Sequence, residues 1–174
     1  MNTAYVYLQL YKLFDSSTPL SVDCGQLCKR ACCKGEGGMY LFPGEKKVYE
    51  LLNPNWIKIS KSDFSYTSGG KRRTVYFAEC CGECDRFQRP LACRIFPLTP
   101  VLSENGKIKI ITDPRAKAVC PLSKAMHIDE YNDSFVKNTE KAFKMLMNNR
   151  QFADFMKSYT DYINEYRKFF SEND

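Results

Sequence analysis

Sulfur dominates the chemistry this chain could perform. Four of its nine cysteines, Cys24, Cys28, Cys32 and Cys33, fall within ten residues, and five more follow at Cys80, Cys81, Cys84, Cys93 and Cys120. One apolar cysteine in a core is ordinary. Four in so short a stretch crowd sulfur into a small volume, which points to ligation rather than packing. Thiolate is a soft donor that suits zinc, iron and iron–sulfur clusters, and suits magnesium or calcium poorly. The sole histidine, His127, lies near a helix start, where surface or core duty is its expected role, so any multi-ligand site must be mostly sulfur. Four thiolates hold tetrahedral zinc or a cluster equally well. Nine cysteines would supply two such sites with one thiol to spare. The gaps Cys24-x3-Cys28, Cys28-x3-Cys32 and Cys81-x2-Cys84 fall in the range of structural zinc knuckles.

Other chemistries lack their residues. The chain has no Gly-x-Ser-x-Gly, no phosphate loop and no dinucleotide fingerprint. A Cys-His nucleophile would rest wholly on His127. The first cluster approaches the radical-SAM signature, but its last gap is wrong, and the chain is shorter than the usual barrel of about 200 residues or more.

The elements that must position the cysteines are legible in outline. Residues 3–14 read as a short amphipathic helix with Ala4, Leu8 and Tyr11 on one face. If residues 24–33 were helical, Cys24, Cys28 and Cys32 would run along one face and Cys33 would lie about 100° round; if they form a loop, all four can converge. Residues 34–38 are turn-prone. Pro43 suits a helix start, Glu45 suits a positive helix N-terminus, and Val48, Leu51 and Leu52 give that helix an apolar face. Residues 56–78 read as β, with a hairpin turn at 68–71, and a second hairpin spans 98–112. Glycine and proline make the stretch from Cys80 to Leu98 a loop. Two helices follow from about residue 129, carrying Phe135, Thr139, Ala142, Met145 and Leu146, then Phe152, Phe155, Met156, Tyr159, Tyr162, Ile163 and Tyr166.

These elements predict an α+β class: a small irregular cysteine-rich domain over 1–125, with β-hairpins and metal-stapled loops, and a C-terminal helical hairpin over 126–174, together one structural unit. At 174 residues, 44% of them hydrophobic, the chain can fill such a core. The N-terminus lacks the basic start and clean apolar run of a secretory signal, and no stretch approaches the roughly 20 apolar residues of a membrane span. The expected location is therefore cytoplasmic, without a membrane partner, where clustered cysteines stay reduced and bind metal more often than they form disulfides. A net charge of +6, spread along the chain, argues only weakly for nucleic acid, and Lys71, Arg72 and Arg73 at a hairpin end read as a solvated face. The aromatic C-terminal helices would either pack on the domain or face a protein partner.

Two stretches resemble a known family. Cys24-x3-Cys28-x3-Cys32-Cys33, then Cys84-Asp-Arg-Phe-Gln-Arg89-Pro90-Leu-Ala-Cys93-Arg94-Ile-Phe96-Pro97, are similar to the YkgJ-type cysteine-cluster proteins, described as a zinc- or iron-chelating domain. The second segment is the more specific match, and the resemblance covers roughly residues 20–125. This chain departs from the family pattern by one extra residue in each of the first two gaps, and adds Cys80, Cys81 and Cys120. The resemblance implies a zinc or iron–sulfur centre held by Cys24, Cys28, Cys32, Cys33, Cys84 and Cys93. Cys81 and Cys120 complete the candidate ligand set, and Arg89 and Arg94 are candidate donors to sulfur. Similar patterns occur in proteins named as flagellin lysine-N-methylases, so the alternative is a cluster-dependent enzyme, a redox protein or a protein methylase.

Overall fold

The structure is a computed structural model and describes residues 3–34, 37–81 and 85–171. It is an α+β fold. Helix α1 (Thr3–Leu13) buries Ala4, Tyr7, Leu10 and Tyr11, the i, i+3, i+7 stripe of a helix lying on a core. Two short helices follow, α2 (Cys24–Leu27) and α3 (Ala31–Lys34). Strand β1 (Gly38–Leu41) leads to helix α4 (Lys46–Leu52), then to the long hairpin of β2 (Ile57–Ser68) and β3 (Lys71–Cys80). Gly69 and Gly70 both have positive φ, which the tight hairpin turn between two right-twisted strands demands. Strand β1 pairs with the far side of β3, giving an antiparallel sheet in the order β1-β3-β2, with Met39 opposite Ala78.

A 3-10 turn (Arg86–Gln88) and helix α5 (Leu91–Ile95) precede the second hairpin, β4 (Leu98–Leu102) and β5 (Ile108–Thr112). Short helices α6 (Ala116–Val119) and α7 (Pro121–Ala125) lead to α8 (Asp133–Leu146) and α9 (Arg150–Ser171), the expected helical hairpin. It is fastened to the strands by side chains: Ser68 donates to Asp154 at 2.9 Å, Gln151 to the Tyr66 hydroxyl at 2.9 Å, and the Leu102 N–H to Thr160 at 2.9 Å.

The core is an aromatic lattice whose hub is Phe42, just past β1. Its ring centroid lies 5.1 Å from Phe143, 5.9 Å from both Phe152 and Phe155, and 6.0 Å from Tyr159, mostly edge-to-face. One cluster of buried side chains runs from Ala4 through both sheets to Ile163.

Three local expectations change. Residues 24–33 do not form one helix: Lys29 and Arg30 both adopt left-handed backbone (φ 51° and 57°), which breaks the segment into α2 and α3. The Cys80–Leu98 stretch is partly helical, because Pro90 precedes α5 and needs no N–H there. In α4, Val48 and Tyr49 are buried, whereas Leu51 is 68% exposed and Leu52 41% exposed.

Candidate metal centre

Three separate segments bring cysteines to two adjoining cavities. The first, of about 320 Å³, is lined by Cys24, Cys32 and Cys93, with Arg30, Arg86 and Arg89 on its wall. The second, of about 210 Å³, is lined by Cys32, Cys80 and Cys93, with Asp113 and Arg115 opposite. Cys32, Cys93 and Phe96 belong to both.

Each position has a local cause. Asp23 caps α2 by accepting from the Gly25 N–H at 3.1 Å, which sets Cys24 at the helix start. Cys28 ends the same turn, its N–H donating to the Cys24 carbonyl at 3.1 Å. The left-handed pair Lys29–Arg30 then re-aims the chain, so that Cys32 starts a second turn in a new direction. Cys80 is the last residue of β3, where it pairs with Ile57. Cys93 sits in α5, and Cys120 sits buried between α6 and α7.

Helix α5 is held by a buried carboxylate. Glu45 is fully buried; its Oε1 accepts from the Leu91 N–H and the Tyr11 hydroxyl, both at 2.6 Å, and its Oε2 accepts from the Phe42 N–H at 3.0 Å. One side chain thus joins α1, the end of β1 and the start of α5. Burial pushes its pKa above the ordinary carboxylate value, against the pull of its three donors and of Arg94.

Electrostatics around the sulfur are mixed. Cys24 is pushed up to about 11, first by burial, then by Cys28, Asp23 and Cys120 nearby, with Arg86 opposing. The thiol form is therefore favoured at neutral pH. Asp23 is pushed up by burial, but the Gly25 N–H and Arg86 outweigh this and hold its carboxyl below the ordinary range. Arg86 contacts Asp23 at 2.8 Å and so ties the 85–89 segment to the start of α2. Across the second cavity, Arg115 forks onto both oxygens of Asp113 (2.9 and 2.6 Å) and donates to the Tyr159 hydroxyl at 3.0 Å.

The sequence-predicted residues divide as follows. Cys24, Cys32 and Cys93 share the first cavity, and Cys28 and Cys120 lie within electrostatic reach of Cys24. Cys81, exposed as Cys32 is, lines neither cavity, and its thiol faces the Glu79 carbonyl at 3.9 Å. Cys80, left as the spare thiol, is the one at the second cavity. Strand alternation carries the reason, because exposed Glu79 marks the solvent face and Cys81, two residues on, shares it. Arg89 lines the first cavity, and its carbonyl accepts from Arg94. Arg94, expected to donate to sulfur, instead donates to the carbonyls of Arg89, Phe87 and Tyr11 and to Asp15, and lies over the Tyr11 ring. It fastens the 85–89 turn to α1. His127 is exposed beside Asp129. The Cys33 side chain and Cys84 lie outside the described residues.

The seven described cysteine side chains are thiols. Among the described residues, no three Cys, His, Asp or Glu side chains are drawn in to the spacing of a metal site. No described helix is long and apolar enough to cross a membrane. Comparison with protein-family models, curated proteins and solved structures found no match.

Proposed function

We propose that this chain is a metal-binding protein whose cysteines hold zinc or an iron–sulfur cluster at the two adjoining cavities. The carrying observation is convergence: six cysteines from four segments (Cys24, Cys28, Cys32; Cys80; Cys93; Cys120) gather at one corner of the molecule. Packing alone does not require sulfur at so many positions, of which four are half-buried, Cys32 is exposed and Cys120 is buried. The donor set fits a soft cation, since thiolates predominate and the one histidine lies elsewhere. The resemblance to the YkgJ-type cysteine-cluster proteins supports the same reading, with Cys33 and Cys84 as further donors. Cys80 replaces Cys81 in the ligand set.

A second reading is a cluster-dependent enzyme, redox or methylase-like. What favours it is the first cavity, whose volume of about 320 Å³ is at the small end of ligand pockets and whose wall carries four arginines, Arg30, Arg86, Arg89 and Arg94, beside the sulfur.

The test is elemental analysis with a visible spectrum on protein purified without oxygen. Stoichiometric zinc supports a structural centre; iron with acid-labile sulfide supports the redox or catalytic reading; neither metal, with oxidised thiols, sinks both. Cys93→Ser should lower metal content and melting temperature together. Cys80→Ser should do the same and Cys81→Ser should not, and the reverse result would return Cys81 to the ligand set.

A further inference from the structure

The wall of the first cavity carries more positive charge than a cation site calls for. Arg30, Arg86, Arg89 and Arg94 line it, against Asp23 and Asp85. Like charge opposes a metal cation, so a cysteine centre alone does not account for these guanidinium groups. Some are already matched. Arg86 contacts Asp23 at 2.8 Å, and Arg94, its side chain 3% exposed, contacts Asp15 at 3.0 Å. The Arg94 nitrogens also donate to the carbonyls of Arg89, Tyr11 and Phe87. Arg30 differs. Among the described residues, no hydrogen bond or ion pair engages its guanidinium. Its left-handed backbone (φ 57°) lets its N–H donate to the Gly25 carbonyl at 2.9 Å, which folds it back over α2. A Cβ built on Gly25 would lie 3.4 Å from the Arg30 Cγ and 3.3 Å from Asp23 Oδ1, so the Arg30 stem, Asp23 and the Arg86 that Asp23 holds form one cluster. Phe14 and Phe96 give the same cavity an apolar wall. A guanidinium at a cavity is a fork of donors that matches an oxyanion.

We propose that the first cavity binds a small organic anion, its carboxylate or phosphate group held by Arg30 with Arg86 and Arg89 beside it. The inference goes beyond the metal reading, because it concerns the arginine wall whichever metal the cysteines take. The cavity volume of about 320 Å³ suits a ligand with a compact organic body, which Phe14 and Phe96 would pack against. Buried Arg94 adds a fixed positive charge behind the site while its own donors stay on the protein.

The test is titration calorimetry on the protein as purified, at about 0.15 M salt, where distant surface charges are screened. The probes are benzoate and phenyl phosphate, with benzamide as the neutral counterpart. Saturable one-site binding of at least one anion is expected, and none of benzamide; the tighter anion identifies the group. Arg30→Gln should weaken that binding roughly tenfold or more, since it removes a charge-assisted contact. Arg30→Lys keeps the charge without the fork and should recover part of the loss. Both variants should keep the parent's melting temperature and metal content, because Arg30 is exposed. Lys71→Gln makes the same change of charge at the β2–β3 turn, away from both cavities, and should leave binding unchanged. No saturable binding of either anion, benzamide binding as tightly as benzoate, or equal weakening by Lys71→Gln would overturn the inference. Loss of metal from the Arg30→Gln protein would overturn it too, by showing that the arginine balances thiolate charge instead. Anion binding by a protein that takes up no metal would remove the metal-binding reading and leave this inference standing.

Discussion

Replacing Glu45 by glutamine tests the joint on which the cysteine corner is mounted. The substitution conserves volume but leaves one acceptor oxygen where there were two. If the amide oxygen takes the Oε1 place, the Leu91 and Tyr11 bonds survive and an NH2 group faces the Phe42 N–H. The flipped rotamer would lose two bonds rather than one. Losing a hydrogen bond to a charged group costs about 1.5–3 kcal/mol, and the stranded buried N–H adds about 1–3. Removing a fully buried charge recovers part of this, since burial already pushes the Glu45 pKa upward. A net loss of about 2 kcal/mol at neutral pH follows, a large share of the roughly 5–15 kcal/mol typical of domains. Urea unfolding should show a lower midpoint with unchanged slope. The pH dependence has a definite sign. A carboxyl raised on folding binds its proton more tightly in the native state, so its contribution is fullest below the unfolded value of 4.5 and is lost as pH rises through the folded value. Glutamine lacks this contribution, so the stability gap between parent and variant should be widest in acid and narrow toward neutrality. A variant as stable as the parent, or a gap that widens as pH rises, would refute the reasoning; the latter would mean that the three donors outweigh burial.

Gly38→Ala should cost about 1–3 kcal/mol in chemical denaturation by overpacking, because a Cβ there would meet the Ala78 carbonyl oxygen at 2.1 Å and the Phe77 ring at 2.7 Å, both in the paired strand. If the cysteines hold a metal as proposed, its chelation should speed amide hydrogen exchange in 24–32 and 85–96 while leaving 135–146 and 152–163 protected; equal loss of protection in both regions would show that the aromatic core depends on the metal.

The elements that sequence periodicity predicts well are those whose residues have one partner layer. Helix α1, the two hairpins and the C-terminal pair α8–α9 match expectation because apolar stripes and Gly-rich turns specify them locally. Two misreadings, in α4 and at Glu45, share a cause, which is long-range contact. In α4, Tyr49 is buried in place of Leu51 and Leu52 because its hydroxyl donates to the Gln88 carbonyl, 39 residues away. Glu45 looked like a charge for its own helix, yet it accepts from the N–H of another helix start. The break at Lys29–Arg30 left no mark in composition, since left-handed backbone usually calls for glycine or asparagine and costs roughly 1–2 kcal/mol elsewhere.

The cysteines were legible as a group but not as a geometry. Cys24, Cys32 and Cys93 could be paired by the resemblance, whereas Cys80 and Cys120 enter only through the ends of β3 and α6. That Cys80 rather than Cys81 lines the second cavity was available from the alternation that exposes Glu79, had the strand been extended to its last residue.

The placement of these parts separates two jobs. Phe42, Phe143, Phe152, Phe155 and Tyr159 make a lattice of aromatic contacts within which the strands and the long helices are mutually fixed. The cysteines lie outside it, on short helices and strand ends whose own hydrogen bonds are few. That corner is held to the lattice by polar devices: Glu45 at α5, Arg94 across the 85–89 turn, and Arg86 to Asp23. Under the proposed metal-binding reading, the cysteine side chains would close on a cation by small shifts of short segments while the body stays rigid. Binding free energy would then be used to order the corner rather than to fold the chain.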